Sequence, residues 1–510
     1  MDRRILVIVL CLAMARAYAQ PPDYGARFKT EIEAIGQPAP DDFAAQYPPS
    51  GLEAIDYDPT SAAFFKELNL EPPEAAEGET PRPDLRLSQQ ELATFRRIGF
   101  VVSERLGRDS FTGLLYRVYS ADLPLFVSGD AVLHAWHQSF NETFAQLELV
   151  VLAPRLEAVL TRMQGAVPEV WSAYGKGALG QSVQDADYLL AVALSLFHGK
   201  PVAPQLDQTE RVRATLEQCK SEKTCNFPLF GYDRRVDFAA LKVRGRYERY
   251  PKLRGYFQAM VWLKLAGLRL TEDPNADREL ATALVLAELL DRSGQTHAWK
   301  RFEHILTHLV GPTDGLSLLQ AHSLVHEGAA LNVAAARTKL LEGSLGIEQI
   351  PSYLPNIDLT ASAPRRPRMF FFTGARFTLG SWALSQTVFE RVVWDQHKVM
   401  RRIPSSLDVA FGVLANDATV PELVRRLKEV EVPFRDGLNY HHSLMAVRRT
   451  IDAITEQDWN GCMPMQWLSV LRALSGPADP RAPQSMRTRA WALRSVTTQL
   501  GSWSELRHDI

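Results

Sequence analysis

From Ser88 almost to the end of this 510-residue chain, apolar residues recur at helical rather than strand spacing, and no other feature limits the fold as strongly. Ser88 and Glu91 form a capping-box pattern ahead of LATFRRIGF. Helices are expected over Asp130–Met163, Val183–Phe197, Gln208–Lys220, Lys252–Arg269, Asp277–Asp291, Ala298–Val310 and Asp314–Glu327. Further helices are expected over Leu379–Asp395, Pro421–Val430, Tyr440–Glu456, Met465–Leu474 and Ser485–His508. Pro154 should kink or end the first of these, because its ring clashes with the preceding turn. Strand-like runs are confined to FVV at 100–102, LFV at 125–127 and MFFFT at 369–373. The expected class is therefore all-α: an irregular multi-helix globular body with few short strand-like segments. No sequence period of solenoid length recurs.

The chain before this body reads differently. Arg3 and Arg4, the apolar run Ile5–Ala15 and Ala17-Tyr18-Ala19 have the order of a secretory signal peptide over 1–19, with cleavage before Gln20. That predicts an exported protein, periplasmic or extracellular. Residues 20–84 are rich in Pro, Ala and acids and are expected to form an extended arm with one or two short helices, Thr60–Leu68 being the best candidate. The helical body is placed at 85–510, and the cluster APRRPR at 363–368 suggests a sub-boundary near 361–368. No later stretch is apolar for long enough to span a membrane. Loss of Arg3, Arg4 and Arg16 with Asp2 would take the formal charge from −2 to −4, which offers no general attraction to nucleic acid or anionic lipid. Cys219 and Cys225 bracket the polar loop KSEKT; a local disulfide and two free thiols both fit that spacing.

The chemistry-bearing residues concentrate on the helix expected to begin at Asp130. At about 100° per residue, Leu133, Trp136, Phe140, Phe144, Leu147 and Val151 form one apolar stripe. Roughly 90° round the same wheel run Asp130, His134, His137, Asn141 and Glu148. Packing requires only the first stripe; the second can line a polar cleft. At the far end of the chain, Glu505 and His508 stand three apart beside Arg507 and Asp509, again able to share a helical face. Gathering both groups around one wet cleft would spare the cost of burying each separately.

These same regions carry a resemblance. LPLFVSGDAVLHAWH (123–137), GARFTLGSWALSQ (374–386), RRIPSSLDV (401–409) and TTQLGSWSELRHD (497–509) are similar, in order, to segments of the uncharacterised family catalogued as domain of unknown function 3160. The resemblance implies an extracytoplasmic, mostly helical protein and supplies no activity. Family members tend to carry an acidic residue where this chain has Gly380, and a Tyr-x-x-Trp pattern where it reads Tyr440, His441, His442. They usually continue past the last motif, where this chain stops at Ile510.

No G-x-S-x-G, phosphate-loop, H-E-x-x-H or C-x-x-C signature is present. The remaining signal is paired histidine: His134/His137, His304/His308, His322/His326 and His441/His442. Spacings of three or four put both imidazoles on one face, where they can share a divalent metal such as zinc or simply satisfy buried hydrogen bonds. His134 and His137 are the metal candidates because the polar stripe stands behind them. Three readings are open. The first is an exported helical protein with a polar cleft for a small molecule, peptide or glycan, or for a metal. The second is a metal-assisted hydrolase acting on peptide or glycan in the cell envelope. The third is an all-α glycoside-processing enzyme using carboxylates such as Asp130, Glu148 and Glu505. The tryptophans at 136, 262, 382, 394 and 491 are expected in the core.

Overall fold

A computed structural model describes residues 22–36, 39–49, 87–98, 103, 105, 110–120, 127–271, 275–326, 331–350, 357–358, 368–387, 392–394, 397–398, 405–430, 440–476, 479–481 and 484–509. The signal-like segment, the Thr60–Leu68 run and the runs at 100–102 and 125–126 lie outside these. The described chain is predominantly helical, as its periodicity requires.

The body is organised around the helix Gly180–His198, buried along almost its whole length because YLLAVALSL is apolar on every side. Arg254–Leu265, Ala276–Arg292, Ala153–Gly165 and Thr209–Ser221 pack around it. Gly255 allows the first of these to approach so closely that a Cβ there would fall 1.9 Å from the Phe197 carbonyl oxygen. Two fully buried carboxylates on the central helix are satisfied in different ways. Asp185 takes Arg211 at 2.6 Å and Arg278 at 2.7 Å. Asp187 accepts the backbone N–H groups of Gln205 and Leu206, and burial raises its pKa.

Strand content is small and mostly serves as staples. Thr224–Leu229 pairs antiparallel with Tyr232–Asp237, a hairpin whose alternation was hidden in the sequence by arginines on the pleat. Met369–Phe370 pairs with Leu268–Arg269, and Ala375–Arg376 with Thr313–Asp314. These pairings trim two expected helices, since 268–269 and 313–314 are extended rather than helical. Val392–Trp394 is likewise a strand, so the helix expected over Leu379–Asp395 ends at Thr387 within the described residues. One apolar cluster takes members from both sides of 361–368, from Leu133 through Trp262 to Trp382 and Leu506.

The start of the arm is bound more tightly than its composition suggested. Tyr24–Ile35 and Pro40–Gln46 are helices, with Tyr24 and Phe43 buried. The few aromatics fall four apart, Tyr24 with Phe28 and Phe43 with Tyr47, so each pair shares a face. Tyr24 stacks on Phe377 at 5.1 Å, and Phe43 meets Phe411 at 5.2 Å. Trp262 and Trp382 are core residues as expected, whereas Trp136 is 38 % exposed and Trp491 only partly buried.

Candidate functional site

The site helix, Gly129–Leu147, begins where Ser128 caps it by accepting the Ala131 N–H. Pro154 does not end it. The chain passes through a π-helical turn, Glu148–Leu152, and continues as Ala153–Gly165 with the proline near that helix's start, where its missing N–H costs little. A π turn inserts one residue and rotates the downstream helix about its axis, a device common at functional sites.

The C-terminal helix, Arg489–Asp509, lies along the polar stripe. Asp130 accepts from Thr498 at 2.6 Å and from Arg494 at 2.5 Å. One turn on, His134 Nδ1 lies 2.9 Å and His137 Nδ1 3.6 Å from the same Glu505 oxygen. Contacts that advance together along both helices make the pair parallel. One donor atom from each of His134, His137 and Glu505 can be chosen so that all lie within 4.8 Å of one another, the only such group of three among the described residues. His134 and Glu505 keep 39 % and 31 % of their side chains exposed while His137 is nearly buried against the Trp467 ring, so the group opens to solvent on one side.

The lower half of the stripe has another fate. Glu148 is buried and accepts Arg246 Nε at 2.9 Å and the Tyr247 hydroxyl at 2.7 Å. Asn141 Oδ1 accepts from Arg246 at 3.2 Å, and the guanidinium lies 4.0 Å from the centre of the Phe144 ring. Burial raises the Tyr247 pKa, with Glu148 adding to it, so the phenol stays a donor. Asn141 and Glu148 thus belong to a dry clamp rather than to the open cleft.

The terminal cluster also divides. Glu505 faces the site helix. Arg507, exposed, stacks over Trp503 on the other side and borders a small apolar cleft lined by Tyr24, Phe377, Met465 and Leu468. His508 is exposed and meets the loop at Gly245, where a Cβ would lie 3.1 Å from its Cε1. The side chain of Asp509 lies outside the description. The sequence reading missed Arg246, Tyr247, Arg494, Thr498 and Trp467, none of which carries a local signal pointing to partners 30 or more residues away.

The other paired histidines whose side chains the structure describes fit packing, while the side chain of His326 lies outside the described residues. His304 and His308 stack at 5.9 Å, with burial lowering the His308 pKa. His322 Nε2 is 3.3 Å from Asp291. His441 and His442 are buried; His442 Nε2 donates to the Ile32 carbonyl at 3.0 Å, and burial lowers its pKa. Cys219 and Cys225 are not bridged. Cys219 is buried, which pushes its pKa up to about 12, while the Cys225 thiol is 3.8 Å from the Gln218 side-chain oxygen. Among the described residues no helix is long and apolar enough to cross a membrane.

A family model described as "Protein of unknown function (DUF3160)" matches residues 88–510. The chain belongs to this family. The match takes in both the site helix and the C-terminal helix that meets it. No curated protein and no solved structure matches the chain.

Proposed function

We propose that this family member is exported and binds a divalent cation of the zinc class through His134, His137 and Glu505. The observation that carries the reading is the meeting of three ligand-type atoms from helices more than 360 residues apart in sequence. Two imidazoles and a carboxylate suit such an ion. Zinc bonds of about 2.0–2.1 Å in a tetrahedron put neighbouring ligand atoms roughly 3.4 Å apart. The separations from Glu505 of 2.9 and 3.6 Å straddle that value. Asp130, held by Arg494 and Thr498, fixes the register of the two helices but lies a turn from the triad.

A set of three protein ligands with a solvent-facing side favours a second reading, metal-assisted hydrolysis of a peptide or glycan. A bound ion would supply polarisation of a substrate oxygen or acidification of a water. The chain's own contribution is to hold His134 and Glu505 at the opening and to wall the inner side with His137 and Trp467. Export rests on the signal-like order of residues 1–19, and mass spectrometry of the secreted protein should find Gln20 at the N-terminus.

Metal binding is tested by elemental analysis and chelator-competed zinc titration of the mature protein beside a His134→Ala/His137→Ala variant. One equivalent in the wild type and none in the variant is expected. Equal metal content in the two would remove the triad as the site.

A further inference from the structure

Two helices supply the triad, and a metal tolerates little error in how far apart they stand. Ligand distances must fall within about 0.2 Å of their ideal values, whereas packed helices settle about 8–10 Å apart according to the side chains between them. The contacts on the open side of the seam hold that separation weakly. His134 and Glu505 are partly exposed, as are Asp130 and Arg494 a turn away, and exposed ion pairs restrain geometry little. What sets the spacing must therefore lie on the closed side.

There Trp467, on the helix Met463–Ala473, reaches both ligand-bearing helices at the level of the triad. Its buried indole lies against the site helix, with ring centres 6.3 Å from His137 and 5.7 Å from Phe140 in edge-on contacts. Its N–H donates to the Ser502 hydroxyl at 2.9 Å, three residues before Glu505 on the C-terminal helix. Ser502 is buried as well, so water does not compete for the bond. Gln499, three residues earlier, is tied to the same support: its amide donates to the Leu471 carbonyl at 2.7 Å and to the Ser475 hydroxyl at 2.6 Å. Met463–Ala473 thus runs antiparallel behind the C-terminal helix and holds its back, while Glu505 meets the imidazoles on the front. Other core tryptophans are used differently. Trp262 gives its N–H to the Leu189 backbone carbonyl, and the buried Trp382 Nε1 has no hydrogen-bond partner among the described residues.

We propose that Trp467 is a positioning residue for the triad, with Ser502 as its partner. The ring sets the depth of His137, the N–H sets that of the helix carrying Glu505, and the ligand atoms of the two helices are thereby held at the separation an ion requires. This rests on the metal-site reading.

The test pairs chelator-competed zinc affinity with urea unfolding of the metal-free, full-length mature protein. Trp467→Phe keeps an aromatic ring against His137 and loses the N–H; Ser502→Ala loses the acceptor, and Ser502→Thr keeps a hydroxyl. Trp262→Phe is the control, a buried tryptophan on a helix that carries no ligand. Zinc affinity should fall about tenfold or more in Trp467→Phe and in Ser502→Ala, the range typical of outer-shell partners, and stay near wild type in Ser502→Thr. The control should lose stability and keep its affinity. Should Trp467→Phe fail to fold, Ser502→Ala, which removes only a hydroxyl, carries the test. Unchanged affinity in Ser502→Ala would overturn the proposal and leave Trp467 a core residue. An equal loss of affinity in Ser502→Ala and Ser502→Thr would also overturn it, by assigning the effect to packing, as would an equal loss in the Trp262→Phe control. In each of these cases the wild type still binds zinc and the metal reading stands, whereas a wild type that binds none would end both.

Discussion

The two halves of the site helix carry similar side chains and have become different objects. Toward its start, His134 meets Glu505 with over a third of the imidazole side chain exposed. Toward its end, Glu148 and Arg246 are at most 5 % exposed and are enclosed by Asn141, Phe144 and Tyr247. The difference lies in the elements that pack on the stripe. A parallel helix covers the first half and leaves an opening, while the Gly245–Tyr250 loop seals the second. A buried ion pair needs every lone pair and proton met, and here Asn141 and Tyr247 meet them. An open group has water as an alternative partner and can exchange it for a ligand. The same residue types therefore act as a structural clamp in one place and a candidate ligand set in the other.

Removing the clamp should give the largest effect. Arg246→Ala leaves Glu148 buried without its cation and should cost about 3–5 kcal/mol in urea unfolding. A loss below about 1 kcal/mol, the range of exposed pairs, would erase the contrast between the halves.

Glu505→Ala should do the opposite. It should cost stability no more than about 1 kcal/mol, because the pair is partly solvated. Zinc affinity should drop by more than the roughly 10–100-fold typical of losing an outer-shell partner. Chelator competition measures the second quantity and denaturation of the metal-free protein the first; a large stability loss with unchanged affinity would recast Glu505 as a second clamp.

His442 offers a buried histidine to set against His134. Its folded pKa is lowered from the ordinary 6.5 by burial, so below that pH the unfolded chain binds a proton that the folded chain resists. Its contribution is thus complete above 6.5 and is lost as pH falls from there through the depressed folded value. Unfolding free energy measured against pH should fall less steeply over that window in His442→Leu than in wild type. Parallel curves would mean that His442 does not titrate as its burial requires.

The smallest effect is expected at Arg494→Ala, where both partners are exposed by 40 % or more. Stability should change by less than about 1 kcal/mol and zinc affinity by less than tenfold. A larger change in affinity would show that the register set by Asp130 reaches the triad.

Much of the local structure was legible because its causes are local. The capping box at Ser88 and Glu91 forms in both directions, at 2.7 and 3.2 Å. The two stripes of the site helix arise from a rotation of about 100° per residue, and the sequence alone marked His134, His137 and Glu505 as worth attention. It could not divide the stripe into an open and a closed half. That depended on Arg246, about 100 residues away, and on Glu505, 371 residues from His134. It also read the arm from its average composition, where two well-spaced aromatic pairs sufficed to anchor its start. Periodicity and capping reflect interactions within a turn or two of the chain and survive in any fold. Which acid meets which base, and whether water reaches them, is set by helices brought together by the core, and only the tertiary structure decides it.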